Sequence, residues 1–299
     1  VTVVGKEEVL AVPAQRRASG GLPAWLLVAP ALLLLTAFFF VPYLNVVRMS
    51  FLVKPSAGAY LPQFTLDNYA RVLGDPFHWR VMYRTFWLAG LTTGLTLVVA
   101  YPVAYHLTYA PQRRRRWLLI LLISPLLVSV VVRGFAWMIL LGRVGLVNLA
   151  VQRVTGHEFV LIGTPAAIVI GLVHIYVPFM ALAVAGALQN IPPELVQAAR
   201  SLGATPWVAF RRIIWPLSLP GVQAGTLLVF VLAVSSYVIP ILLGASNVLV
   251  VPMLIVQTLL DAFNWPLGSA FSMVFFGLTA AVVTLYLRLM AVAMRGIRG

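Results

Sequence analysis

Cysteine is absent from the 299 residues, so disulfides, thiolate metal sites and cysteine nucleophiles are excluded. Charge is scarce. Asp, Glu, Lys and Arg make up 9% of the chain, where soluble domains carry about 25%. Lysine occurs only as Lys6 and Lys54, followed by Glu7 and Pro55, which removes a P-loop for nucleotide phosphates. The four histidines, His78, His106, His157 and His174, are far apart, and no pair has metal-ligand spacing. Apart from Glu7 and Glu8 the carboxylates are single, and none falls in a long apolar run. That disfavours a proton relay of the kind pumps bury in their spans, while a sodium site built from carbonyls stays open. No serine sits in a nucleophile elbow, so the chain reads as a conduit rather than an enzyme.

Apolar residues fill the space left by charge: 62% of the chain is hydrophobic, and the mean hydropathy is +0.99. Disorder needs the opposite composition. In lipid, only helices and closed barrels satisfy every backbone group. Barrel strands alternate polar and apolar residues, whereas these runs are unbroken. An all-α polytopic membrane protein follows. A helix needs about 20 apolar residues to cross. Six spans are expected, near 23–47, 85–108, 117–141, 163–188, 218–243 and 267–290. The run from 213 to 260 is long enough for two, but Gly244, Ser246, Asn247 and Pro252 interrupt it. Residues 245–260 are therefore expected on the outer surface or partly embedded. Gly90-x-x-x-Gly94 and Gly221-x-x-x-Gly225 have the spacing that permits close helix packing.

The net charge is +14. In a soluble protein that would point to nucleic acid; here arginines mark one membrane face, and no nucleic-acid partner is expected. With the N-terminus in the cytoplasm, Arg16, Arg17, Arg113–Arg116, Arg200, Arg211, Arg212, Arg288, Arg295 and Arg298 all fall inside, as the positive-inside rule requires. Both termini are then cytoplasmic. Residues 1–22 read as a cytoplasmic tail and 23–299 as one transmembrane domain. The first apolar run is too long for a signal peptide and contains Pro30 and Pro42, so an uncleaved first span is expected.

The cytoplasmic loop over 190–216 has internal design. Pro192 and Pro193 suit a first helical turn, Gly203 a stop, and Thr205-Pro206 an N-cap and restart. Two short helices make a projecting knob, and Ala198 and Ala199 let another protein approach closely. The segment resembles the EAA loop of ABC importer permeases. Ala198, Ala199, Gly203, Ile213 and Pro216 fall at matching positions. Gln197 stands where the family has Glu, and Trp215 where it has Leu; Glu194, one turn earlier, offers a substitute carboxylate. The spermidine/putrescine-type branch of that family is suggested by Phe64-Thr65-Leu66-Asp67-Asn68-Tyr69, by Val132-Arg133-Gly134-Phe135-Ala136-Trp137, by Thr164-Pro165 through Pro178-Phe179-Met180, and by Asn264-Trp265-Pro266-Leu267-Gly268.

The resemblance implies two permease subunits forming a pore, the second a distinct paralogue. It also implies two ATPases on the loops, carrying ATP and Mg so that this chain needs no cofactor, and an external binding protein in a bacterial inner membrane. Glu194, Gln197, Ala198, Ala199, Arg200, Gly203, Pro206 and Phe210 would contact the ATPase. The substrates it implies are polyamines, with aminophosphonates, opine-like compounds or ferric iron as alternatives.

Candidate pathway residues are Arg133, Trp137, Tyr176, Tyr237, Asp261 and Trp265. Arg133 is the strong charge within a span, where burial is costly; it lines the path, sits at a subunit interface, or snorkels outward. The aromatics offer faces to a cation, or serve as packing and interfacial belt. Asp261 attracts cations or contacts the binding protein, or is a solvated loop charge. The rival classes are a self-sufficient secondary carrier or channel, which has no reason to keep the spacing from Gly203 to Ile213, and a structural membrane scaffold.

Overall fold

Proline and serine set where the helices of this chain begin and break. A computed structural model describes residues 24–54, 61–158, 160–245 and 247–298; the tail expected over 1–22 lies outside them. The chain divides into two compact units, 1–46 and 47–299. In the first, helix α1 (Ala24–Ser50, running on into the second unit) contains Pro30 and Pro42 and shows exposed apolar side chains such as Leu33, Phe38 and Phe40. Among the described residues, six helical stretches are long and apolar enough to cross a membrane: Val28–Ser50, Pro76–Tyr109, Val130–Thr155, Pro165–Gln189, Pro206–Val234 and Trp265–Met294. Their number matches the expectation from the apolar runs.

After α1 a short antiparallel pair, β1 (Leu52–Val53) and β2 (Leu61–Phe64), leads into α2 (Asp67–Gly74). Buried Asn68 donates its amide to the carbonyls of Ser50 (3.0 Å) and Leu52 (2.9 Å), tying α2 to the end of α1. Asp75 then caps α3 (Pro76–Tyr109) by accepting from the Phe77 amide at 2.8 Å, with Pro76 in the first turn.

The third span, expected over 117–141, is not one continuous helix. Helix α4 (Gln112–Ile123) tightens into a 3-10 turn over Ser124–Leu127, because Pro125 has no N–H to continue the ladder. Ser129 caps a new helix, α5 (Val130–Leu141), by accepting from the Val131 amide. A bend at Gly142–Gly145 leads on to α6 (Leu146–Thr155); by length and composition the stretch Val130–Thr155 is long and apolar enough to cross.

The core is built by three helices: α3, α7 (Pro165–Gln189) and α10 (Trp215–Val234). Small residues let α7 and α10 touch. A Cβ on Gly221 would lie 2.8 Å from the Ala183 carbonyl oxygen, and one on Gly225 would lie 2.6 Å from Met180 Sδ. The other spacing motif does not behave this way: a Cβ on Gly90 or Gly94 would meet nothing within 4 Å, so within this chain they mediate no close approach. The Tyr101 hydroxyl pairs with Ser218 Oγ at 2.9 Å and links α3 to α10.

Between α7 and α10 lie α8 (Pro193–Ser201), α9 (Pro206–Ala209) and a π-helical turn over Phe210–Ile214. After α10 come α11 (Val238–Leu243) and α12 (Val251–Val256), then a π-helical turn over Gln257–Asp261 and the long α13 (Trp265–Arg298). The stretch after Gly244 is partly packed into the core, with Ala245, Asn247, Gln257 and Leu260 exposed. Val248, Val250, Val251 and Met253 are buried, and the Val251 amide donates to Thr85 Oγ1 of α3 at 2.9 Å.

Gly225→Leu should destabilise the purified subunit, since overpacking a filled contact costs about 1–3 kcal/mol. Gly90→Leu should leave the melting temperature in detergent near that of the wild type. Equal melting temperatures for the two variants would refute the close α7–α10 contact.

Candidate coupling and transport sites

Two features of the second unit depart from plain helical packing. The first is the knob formed by α8 and α9. Helix α8 ends in a Schellman closure: the Gly203 amide donates to the Arg200 carbonyl at 2.9 Å and the Ala204 amide to the Ala199 carbonyl at 3.0 Å. Gly203 has φ +84°, a left-handed conformation that L side chains adopt only at a cost of roughly 1–2 kcal/mol. Nothing lies within 4 Å of where its Cβ would be, so the backbone and not crowding demands glycine. Thr205 accepts from the Val208 amide and opens α9 with Pro206 behind it.

The expected contact residues Glu194, Gln197, Ala198, Arg200, Gly203 and Pro206 are exposed on this knob; Ala199 is half-buried. Phe210 differs. It packs inward, edge-on to Tyr101 of α3 with ring centroids 5.8 Å apart, and lies 5.6 Å from the Trp207 ring in a stacked pair. Composition alone did not reveal the apolar surface here: Leu202 is 90% exposed and Trp207 67%.

The second feature is a break in the fifth span, expected as one helix over 218–243. Helix α10 runs antiparallel to α7, with Gly221 beside Ala183 and the Leu232 carbonyl accepting from the Tyr176 hydroxyl at 2.9 Å. Helix α10 stops at Val234. The chain passes through Ser235–Tyr237 and restarts as α11, whose Leu243 carbonyl accepts from the Gly163 amide just before α7 begins. Tyr176 is the twelfth of the 25 residues of α7, counting from Pro165, so the break lies halfway along the crossing. Pro240 cannot donate to the Ser236 carbonyl, which keeps the helix from running through. Ser235 turns its hydroxyl back to the Val231 carbonyl at 2.9 Å.

Three of the expected pathway residues meet at this level. Trp137 of α5 packs against the His174 ring, centroids 5.4 Å apart and 69° between planes. Arg133, one helical turn before Trp137, lies within electrostatic range of both His174 and Tyr176. Its Nε and Nη1 are buried with no hydrogen-bond partner among the described residues. Tyr237 sits in the break itself, half-buried against the main core. Asp261 and Trp265 are not part of this group; both are exposed at the turn into α13. His174 and Ser236 were missed by sequence reasoning. The Ser235-Ser236 pair inside an otherwise apolar run was the available signal.

Residues 96–296 match the family described as binding-protein-dependent transport system inner membrane component. The spermidine/putrescine transport system permease protein PotB of Salmonella typhimurium (strain SL1344) is 36% identical over 240 residues, covering 80% of this chain and 83% of that protein. PotB of Haemophilus influenzae is 32% identical over 253 residues, 84% of this chain and 88% of its own. Among solved structures, a bacterial ABC transporter involved in alginate import aligns with TM-score 0.73 at 17% identity, covering 89% of this chain and 95% of that one, a likeness of fold. The chain belongs to the binding-protein-dependent transport system inner membrane component family, as a multi-pass permease subunit of the inner membrane.

Proposed function

We propose that this chain is one of two permease subunits lining the pore of an ATP-driven importer for polyamines such as spermidine and putrescine. The observation that carries the transport reading is the junction of the exposed knob, through Phe210, to a helix broken at mid-span. Backbone irregularity at that depth is tolerated where it is buried in protein or lines a cavity or path. The polyamine reading is supported by the names of relatives that are similar over most of the chain.

In this reading two ATPases seat on the knobs of the two permeases and hold ATP and Mg, so the present chain carries no cofactor. The second permease is a distinct paralogue, and an external binding protein delivers the solute. Leu202 and Trp207, flanked by Glu194, Gln197 and Arg200, form the contact with the ATPase. Both termini and the knob lie in the cytoplasm, which the arginine distribution supports.

Arg133 favours a second reading. A mid-span guanidinium with unsatisfied nitrogens repels a polyamine and attracts an anionic or zwitterionic solute, such as an aminophosphonate. For a polyamine to pass, an acid from the second permease must neutralise it.

Three measurements test these assignments. Gly203→Trp should abolish ATP-dependent uptake while leaving the protein in the membrane, and Gly203→Asn, which tolerates a left-handed backbone, should retain far more; full uptake by the Trp variant would remove the coupling role. A cysteine at Glu158 should react with an impermeant thiol reagent added outside, and one at Ser201 should not; the reverse pattern would invert the topology. Labelled spermidine should enter through the wild type and through Arg133→Gln. Uptake of an aminophosphonate alone, lost in Arg133→Gln, would overturn the polyamine reading in favour of the second.

A further inference from the structure

We propose that the cleft between α3 and α4 holds an anionic phospholipid, with its phosphate at Arg113 and Arg114 and an acyl chain lying along the groove. The cleft has a volume of about 980 Å³ and runs between the last turns of α3 and one face of α4. Arg114, Trp117, Leu121 and Ser124 line it at helical spacing, opposite His106 and Tyr109. From Arg114 to Ser124 the helix rises about 15 Å, half of the roughly 30 Å hydrocarbon thickness. The groove is therefore as long as one leaflet is deep. It has a single charged residue at one end, and apolar walls beyond.

Among the described residues of the second unit, none fills the open face. Trp117 is 66% exposed and Leu121 72%. Arg113, Arg114 and Arg116 are exposed beside it, and no Asp or Glu occurs anywhere between Asp75 and Glu158. A cluster of arginines at a membrane face attracts anionic headgroups. Trp117 and Tyr109 are the aromatic types that settle at headgroup level. Free phosphate would satisfy the arginines and leave the apolar walls uncovered. An apolar helix from another protein would cover the walls and leave the arginines without a counter-charge. A diacyl phosphate supplies both at the required separation. The proposal rests on the membrane-spanning assignment alone, and is independent of which solute is carried.

The test uses the assembled transporter, purified in mild detergent. Retained lipids are identified by mass spectrometry, and thermal unfolding is followed on adding phosphatidylglycerol, phosphatidylcholine or inorganic phosphate. Phosphatidylglycerol should be retained in preference to phosphatidylcholine and should alone raise the melting temperature. Arg114→Gln should lower phosphatidylglycerol retention about five-fold, and Leu121→Trp, which fills the groove without changing charge, should also displace it. Equal retention of the two lipids, stabilisation by inorganic phosphate alone, or wild-type retention by both variants would overturn the proposal. So would a photo-cross-linking residue at position 121 that captures a neighbouring protein chain instead of lipid. Transport activity plays no part in these readouts, so failure here leaves the proposed function standing, and the converse.

Discussion

A bilayer interior offers a peptide group no hydrogen-bond partner, and this constraint accounts for most of the structure. Wherever the chain leaves the α-helix, another group answers. At Ser124 the hydroxyl turns to the Leu121 carbonyl as α4 ends. At Ser129 a side chain caps the next helix. At the mid-span break, the Leu232 carbonyl that α10 frees is taken by Tyr176 from α7. Where the chain returns past Gly244, Thr85 of α3 receives the Val251 amide. The core helices are thus fastened to the irregular segments and α3 to α10 by hydroxyls, and α7 to α10 by small residues.

Arg133 is the exception, and it stands beside the break. An arginine within a span costs up to roughly 2.5–3.5 kcal/mol on insertion scales, and two nitrogens of Arg133, in the first turn of α5, go without partners among the described residues. In the importer proposed above, the second permease or the solute in transit would complete that surface. The neighbouring Trp137 and His174 rings give that region apolar faces with polar edges, suited to passing contacts rather than firm binding.

The number of spans was legible because burial in lipid writes itself as long uncharged runs. So was the knob, because Pro193, Gly203 and Thr205-Pro206 each impose a local backbone geometry wherever they stand: the first turn, the left-handed closure and the restart were all found. The course of the third span was not legible. Hydropathy does not distinguish a helix running through Ser124-Pro125 from one ending there, and 117–141 has the composition of a crossing either way. The break after Val234 was hidden for the same reason: Ser235-Ser236 barely lowers the mean hydropathy of a run from 213 to 260. Which of the two glycine motifs makes a contact depends on the partner face. Gly225 meets Met180 and Gly90 meets nothing, although the spacing is the same. Arg133, Trp137 and Tyr176 were each singled out by type, but their meeting depends on the registry of α5 against α7, which no single-span pattern contains.

The same geometry gives an event at the knob a route to the middle of the membrane. Phe210 joins the two regions: it stacks on Trp207 at the knob's surface and meets Tyr101 edge-on in the core. Immediately after it the backbone makes a π-helical turn, Phe210–Ile214, and then runs unbroken through α10 to Val234. A π turn holds one residue more than the helix around it and is a natural place to absorb or release rotation. Beyond it, α10 is gripped by α7 at Gly221 and Gly225 and by Ser218 through Tyr101. A force applied at Trp207 therefore cannot be dissipated in a loop, because there is none between the knob and the span. The helix that follows ends at a break, where the Leu232 carbonyl accepts from the Tyr176 hydroxyl. Tyr176, the donor of that bond, lies within electrostatic range of Arg133, so a movement of α10 would alter the surroundings of that guanidinium.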